Sequence, residues 1–434
     1  MTAVTHHYVW KLATPMILAN ISIPILGMVD TAVVGHLDSA HYLGAVAIGT
    51  LIFSFLFWGF GFLRMATTGL TAQAVGNQNT SQSHQILHQA VFFALIIALF
   101  ILLFQQSISQ LAFHFIDSSE LVKASAKQYF DIRIWSTPAI LINYVIWGWL
   151  IGNEATKSTL LLVLTVNIIN IILDLLFVNF LAMDVSGVAL ASVIAEYSGL
   201  ILGFVIIQKR GLKLIKLKGA FLDFNKKEFY EVLSLHGNIF LRTLCLIFSF
   251  AFFTIQSAKY GDNVLAANSV LLNFITFMAF VLDGFANATE VLSGKAIGQK
   301  NHRQLRHVVF ITGIWSLAMA ILFSLTYLLF GSHIITLLTS IPEVVNLANQ
   351  HLIWLVIAPL IGFWSYLFDG LFIGATLSKE MRNTMLFSTL ICYLPAWYFL
   401  QYLGNDGLWI ALLIFLAARG ISQACYLPII FRLK

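Results

Sequence analysis

Apolar segments long enough to cross a lipid bilayer follow one another along almost the whole chain. The 434 residues are 59% hydrophobic and 10% charged, with a mean hydropathy of +0.87, whereas soluble domains contain about 25% charged residues. A spanning helix needs about 20 apolar residues. The sequence therefore predicts an all-α integral membrane protein with twelve spans. We place these spans at 12–36, 43–66, 86–106, 127–152, 158–180, 187–207, 237–257, 266–288, 307–331, 350–374, 383–403 and 407–431.

Basic residues are divided unevenly between the two sides of the predicted membrane. An even number of spans puts both termini on one side, and that side carries seventeen Lys and Arg residues against four on the other, which are Lys123, Lys127, Arg133 and Lys259. Cytoplasmic loops carry the excess of basic residues, so both termini are expected in the cytoplasm, at a bacterial inner membrane. The net charge of +5 is therefore explained by basic residues that contact anionic membrane lipid, and not by binding of nucleic acid.

One long polar connection divides the spans into six and six. It runs over 208–235 and is rich in basic residues, which predicts a linker along the lipid surface. The predicted organisation is an N-lobe at 1–207, this linker, and a C-lobe at 236–434. We expect a monomer.

The two halves repeat one another at a constant offset in the sequence. Gly69–Asn79 aligns with Val291–Asn301, and at the same offset GWLIG at Gly148–Gly152 aligns with GLFIG at Gly370–Gly374. Several matches at one offset seldom arise by chance. Because six is an even number, the halves run in the same direction and form parallel repeats. Two pseudo-symmetric lobes of six helices around a central cavity are the expected architecture.

Five acidic residues stand inside otherwise apolar segments: Asp30, Asp174, Glu196, Asp283 and Asp369. A carboxylate at the centre of a bilayer costs roughly 2.5–3.5 kcal/mol on insertion scales. Such residues usually mark an ion or substrate pathway. The alternatives are an acid that reaches the outer surface for Asp30, a protonated packing residue for Glu196, and a structural salt bridge for Asp369.

Two polar stripes extend along predicted helices. Asn167, Asn170 and Asp174 follow i, i+3, i+7 spacing and share one face, which must turn toward the bundle because lipid would leave it unsatisfied. The alternative role is interhelical hydrogen bonding.

The second stripe, on the eighth span, suits the wall of a cavity for an amphipathic cation. Its residues are Asn273, Thr276, Phe280, Asp283, Asn287 and Glu290. We expect Glu290 near the cytoplasmic end, as a solvated gate or a lipid-facing charge. Arg242, on the seventh span, is a candidate partner for an acid in the C-terminal half.

Six sequence motifs carry a resemblance to a known family. They are VDTAVVGH from Val29, LRMATTGLTAQAVG from Leu63, NIILDLLF from Asn170, VIAEYSG from Val193, LDGFANATE from Leu282 and FDGLFIGAT from Phe368. Together they resemble the multidrug and toxic compound extrusion (MATE) family, in particular its DinF-like branch. The resemblance implies a two-lobed antiporter that exports bulky lipophilic, often cationic, compounds as protons or sodium ions enter.

The resemblance also assigns an ion site. Asp30 matches an aspartate of the family's first helix, and Asn170 and Asp174 match the Asn and Asp of its fifth. Other branches carry an acid in the seventh helix, which has none here, so protons are favoured over sodium. We therefore predict a coupling site of Asp30, Asn170, Asp174 and Glu196, and a substrate cavity that includes Asp283, Asp369, Asn273, Phe280 and Asn287.

Two other functional classes fit less well. A lipid-linked oligosaccharide flippase of a related two-lobed fold is expected to line its cavity with basic residues, but only Arg64, Arg242 and Arg419 are assigned to the interior of spans. An intramembrane enzyme is disfavoured because no H-E-x-x-H motif occurs. No G-x-x-x-x-G-K-[ST] phosphate loop occurs either, which points to secondary transport. Cys245, Cys392 and Cys425 show no paired spacing, so neither a metal nor another cofactor is predicted.

Overall fold

The computed structural model describes residues 4–35, 40–114, 116, 118–211 and 226–432. Over these ranges the chain is helical and contains no β-strand. The predicted linker at 208–235 lies partly outside the described residues, which omit 212–225, and His36 lies outside them as well.

Within the described residues, the first half forms nine α-helices. They are α1 (His6–Gly35), α2 (Ala40–Gly59), α3 (Phe62–Gly76), α4 (Thr80–Leu103), α5 (Gln105–His114), α6 (Glu120–Arg133), α7 (Thr137–Gly152), α8 (Thr156–Asp174) and α9 (Asp184–Lys209). A 3-10 turn (Ile134–Ser136) joins α6 to α7, and a π-helix (Leu175–Phe180) extends α8.

The second half forms eight more. They are α10 (Lys226–Ala258), α11 (Asp262–Gly298), α12 (His302–Leu338), α13 (Pro342–Gly374), α14 (Ser378–Leu386), α15 (Leu394–Leu400), α16 (Asn405–Ala424) and α17 (Leu427–Ile430). A π-helix (Phe387–Tyr393) separates α14 from α15, and a 3-10 turn (Gln401–Leu403) follows α15.

The predicted number of spans is confirmed. In the part of the chain that the structure describes, twelve helical segments are long and apolar enough to cross a membrane. Most extend beyond their predicted limits, because the helices continue into polar residues at their ends. The seventh is the clearest case, since α10 begins at Lys226, inside the predicted linker.

The described chain forms two compact units. One contains the start of the chain up to Ile17, the segment Ala72–Gln78 and everything from Tyr230 onward; the other contains Leu18–Thr71 and Asn79–Phe229. We call them the C-unit and the N-unit.

Glycines of the sequence repeat fix the packing of α7 on α3 inside the N-unit. A Cβ at Gly148 would collide with the carbonyl oxygen of Arg64, and one at Gly152 would collide with Thr68 and Thr71. Two glycines four positions apart thus let the helix backbones approach closely, as small residues do in membrane proteins.

The C-unit repeats this contact between α13 and α11. A Cβ at Gly370 would meet the carbonyl oxygen of Ala286, and one at Gly374 would meet Glu290 and Ser293. Each partner follows its counterpart in the N-unit at the same offset that relates the two halves of the sequence. The sequence repeat is therefore a repeat of helix packing.

The loops after α3 and α11 also match. Gln78 and Lys300 both adopt positive φ, at 56° and 54°, and end the preceding helices. Asn79 and Asn301 then cap the next helices, each accepting a bond from the backbone N–H three positions later at 2.9 Å.

Candidate functional site

Two acidic side chains meet inside the N-unit, one from α1 and one from α8. Asp174 is fully buried and Asp30 is half-buried, and their carboxyl groups lie within hydrogen-bonding range of each other. Asn170 donates from Nδ2 to Oδ2 of Asp174 at 3.1 Å. Oδ1 of Asp30 and Oδ1 of Asp174 are buried without a donor among the described residues. The group is thus a carboxyl pair with spare acceptor capacity.

Local structure brings the pair together. Asp174 is the last residue of α8, where the π-helix Leu175–Phe180 begins, and π-turns are frequent at functional sites. One face of α8 turns inward as the spacing predicts, since Asn167, Asn170 and Asp174 are all buried. Asn167 donates to Oγ of Ser22 at 2.8 Å, which ties α8 to α1, the helix that carries Asp30.

One basic side chain acts on this pair. Arg133, which the sequence assigns to the outer side, is half-buried at the end of α6 and within electrostatic range of both Asp30 and Asp174. Its Nη1 donates to Oγ of Ser136 at 2.7 Å, and its guanidinium lies 6.0 Å from the ring centre of Phe53. The 3-10 turn immediately after Arg133 interrupts the helix here.

A third acid of the N-unit stands near the same arginine. Glu196 on α9 interacts electrostatically with Arg133, and its Oε2 accepts a bond from Nδ2 of Asn143 at 3.0 Å. The same amide also reaches the backbone carbonyl of Glu196, at 3.0 Å. Arg133 therefore interacts electrostatically with three carboxyl groups, and these acids outnumber it.

The buried acid of the C-unit has very different surroundings. Asp369 on α13 forms salt bridges with Arg242 on α10 and Arg419 on α16, the latter at 2.6 Å. Gln423 donates to its Oδ1, also at 2.6 Å. The sequence-based pairing of Arg242 with a C-terminal acid is confirmed, and both oxygens of Asp369 are occupied by donors.

The remaining predicted cavity residues lie along α11, and their exposure decreases from Asn273 to Asn287. Asn273 is exposed and its Nδ2 bonds back to the carbonyl oxygen of Ser269 at 3.1 Å. Phe280 and Asp283 are half-buried, and Asn287 is buried. Asp283 interacts electrostatically with Tyr366, whose ring centre lies 5.9 Å from the guanidinium of Arg419. Asp283 is thereby connected to the surroundings of Asp369.

The prediction for Glu290 is wrong. The side chain is 1% exposed and is neither solvated nor lipid-facing. Its backbone carbonyl lies against Gly374, so the close approach of α13 covers this turn of α11.

Sequence reasoning missed four contributors to these sites: Arg133, Asn143, Arg419 and Gln423. A signal was present for both arginines, because they fall within the limits of predicted spans, where basic residues usually face the bundle and pair. Arg133 was assigned to the outer side instead. No sequence signal pointed to Asn143 or Gln423, whose roles depend on acids 53 and 54 residues away. Within the described ranges, no cluster of three or more His, Cys, Asp or Glu side chains is arranged to hold a metal.

Comparisons with known proteins agree on one family. The MatE family model matches residues 15–176 and 239–399, one match in each half, as the internal repeat predicts. DNA damage-inducible protein F of Escherichia coli (strain K12) is 44% identical over 424 residues, which are 96% of this chain and 90% of that protein. Multidrug resistance protein NorM of Vibrio cholerae is 27% identical over 434 residues, covering 95% and 92%.

Solved structures show the same fold. The Vibrio cholerae MATE transporter VcmN in its bent form superposes with a TM-score of 0.87 at 21% identity, over 98% of this chain and 97% of that one. An outward-facing MATE family transporter of the MOP superfamily gives 0.88 at 19% identity, over 98% and 96%. At these identities the likeness concerns the fold alone.

Proposed function

The chain belongs to the MATE family of multidrug efflux transporters, and from its buried acids we propose that it exports small lipophilic, often cationic, compounds in exchange for protons. The proposed place is a bacterial inner membrane with both termini in the cytoplasm. It is a secondary transporter that works by alternating access, not an enzyme.

The carboxyl pair of Asp30 and Asp174 is the observation that carries this proposal. Two neighbouring carboxyl groups can share a proton, which supplies the donor that two carboxylates lack. Asn170 holds Asp174 in place, while the Oδ1 atom of each acid has no donor among the described residues. Loss of the shared proton leaves like charges in contact, which favours its replacement by another proton or by a cationic substrate.

The available driving force is adequate for such exchange. One charge moving inward yields about 2.3 kcal/mol per 100 mV, and a tenfold gradient costs about 1.4 kcal/mol. At a potential of ~150 mV, one proton supports a gradient of roughly 300-fold for a neutral compound. Export of a cation opposes the same potential and therefore needs a pH gradient or additional protons.

Charge also separates this proposal from the flippase alternative. A pyrophosphate-linked substrate needs unpaired basic groups, yet Arg242 and Arg419 both bond to Asp369. The seventh span contains no acid between residues 237 and 257, which supports protons over sodium.

The decisive experiment is dye transport by the purified protein in proteoliposomes. We expect an imposed pH gradient to drive accumulation of a cationic dye in sodium-free buffer, and an imposed sodium gradient at equal pH to drive none. Protein-free liposomes provide the control for passive dye movement. An absolute requirement for sodium would show that the proposed ion is wrong, and absence of transport under both gradients would count against the efflux function.

A further inference from the structure

Two glycines from different repeats face each other within the C-unit. The C-unit includes the end of α3, although α3 belongs to the first repeat of the sequence. A Cβ at Gly76 would collide with the carbonyl oxygen of Lys295 and crowd the Cα of Gly298, and a Cβ at Gly298 would collide with the carbonyl oxygen of Gln73. Backbone therefore lies directly on backbone at this point.

The contact is symmetric. Gly76 and Gly298 occupy equivalent positions of the two repeats, as do Gln73 and Lys295. Gly76 touches the carbonyl of Lys295 and Gly298 touches that of Gln73, so the two contacts are equivalent. We call these four residues the glycine clasp. Glycine Cα–H groups against carbonyl oxygens are weak donors, and any larger residue at either position would keep the two helices apart.

Two helix ends and one side-chain amide meet at the clasp. α3 and α11 both end here, at Gly76 and Gly298, so the negative ends of two helix dipoles meet. A side-chain bond from Nε2 of Gln73 to the carbonyl oxygen of Gly374, at 2.8 Å, reinforces the contact, with Oγ1 of Thr376 at 3.3 Å from the same nitrogen. The closeness of the contact therefore depends on the lack of a Cβ at Gly76 and Gly298.

We propose that the glycine clasp is a steric gate at the end of the molecule predicted to face the cytoplasm, and that it sets the balance between closed and open states there. The close approach of the two repeats is possible only with glycine at both positions, and it must be undone when this end opens. The inference rests on the proposed alternating access but is independent of which ion drives it.

The test measures the distance across the clasp. Asn77 and Lys300 flank the two glycines and are exposed, so cysteines at these positions take spin labels in a background where Cys245, Cys392 and Cys425 are serine. Double electron–electron resonance should give mainly a short distance in the parent protein. Gly76→Ala or Gly298→Ala should each lower the ratio of short to long distances roughly tenfold, because overpacking disfavours the closed contact.

Three controls separate a gate from ordinary packing. Gly237→Ala adds a methyl group where no atom lies within 4 Å, so its distance distribution should match the parent. Gly407→Ala introduces a clash with the carbonyl oxygen of Leu400, inside the second repeat, and should lower thermal stability without shifting the ratio among folded molecules. Gln73→Ala removes the reinforcing hydrogen bond without adding bulk, and a smaller shift toward the long distance is expected.

The outcomes decide the proposal in each case. A parent-like distribution in folded Gly76→Ala and Gly298→Ala, or an equal shift in Gly237→Ala, would overturn it. If neither alanine variant folds, Gln73→Ala decides, and an unchanged distribution in that variant overturns the gate. The sodium-free dye assay reports separately on the choice of proton, since its failure leaves these distances unaffected.

Discussion

The buried acids of the two units differ in the number of cations around them. In the N-unit, Asp30, Asp174 and Glu196 share Arg133, whereas in the C-unit Asp369 is bonded by two arginines. The first arrangement is poorly neutralised and suits the uptake and release of a cation. The second neutralises the acid and joins three helices.

The glycine packing between helices is the same in both units. Gly148 and Gly152 contact α3 as Gly370 and Gly374 contact α11, residue for residue at one offset. The side chains next to these glycines differ between the halves, since Trp147 occupies the position equivalent to Asp369. Close backbone packing requires glycine at these positions in both halves, whereas the neighbouring charged positions differ between the halves.

The largest expected effect is loss of stability in Asp369→Asn. An amide cannot replace the carboxylate between Arg242 and Arg419, and leaving buried charges uncompensated costs about 3–5 kcal/mol. Thermal unfolding in detergent should show a large decrease in Tm. Asp406→Asn is the matched control, because this acid is exposed and paired with His351 at 3.6 Å. Adding Arg242→Gln to Asp369→Asn should restore part of the stability; equal Tm values for Asp369→Asn and the parent would refute the structural role.

Substitution in the N-unit pair should affect transport instead. Asp30→Asn and Asp174→Asn each leave a neutral hydrogen-bonding group of the same shape, so we expect folded protein with at least tenfold less proton-coupled dye efflux. Proteoliposome assays at matched protein content measure the loss. Parental efflux from either variant would contradict the proposed proton site.

Arg133→Gln should shift the pH dependence of transport. Removing a cation that favours ionised carboxyl groups lets them keep protons to higher pH, so the pH of half-maximal efflux should rise by about one unit. Arg133→Lys should stay near the parent, because it retains the charge. Lys127→Gln removes an exposed charge from the same helix and controls for general electrostatics; an identical profile for Arg133→Gln would show that Arg133 has no part in the proton site.

The smallest effect is expected for Asp283→Asn, as a change in substrate preference. A desolvated cation favours a carboxylate and a nearby aromatic face, which here are Asp283 and Phe280. Efflux of a cationic dye should decrease several-fold, while that of a neutral dye stays close to the parent. Equal losses for both dyes, together with lost proton movement, would instead place ion coupling in the C-terminal half.

Much of the fold was predictable because its determinants are local. Span number follows from apolar length, and the shared face of Asn167, Asn170 and Asp174 follows from helix periodicity. The burial of Glu290 was not predictable, because it depends on Gly374, which lets α13 lie against that turn. The partners of Asp369 also could not be settled from the sequence, because its two arginines lie 127 and 50 residues away.

By itself the sequence determined a membrane protein of twelve spans, its internal repeat and which polar residues stand inside apolar helices. These properties depend on composition and on spacing within single segments. Only the tertiary structure decided that Asp30 lies near Asp174, that Arg133 is within electrostatic range of both, and that Gly76 lies against Lys295. Each of these contacts joins side chains or backbones from different helices, and the close approach that creates them depends on which residues are small enough to permit it.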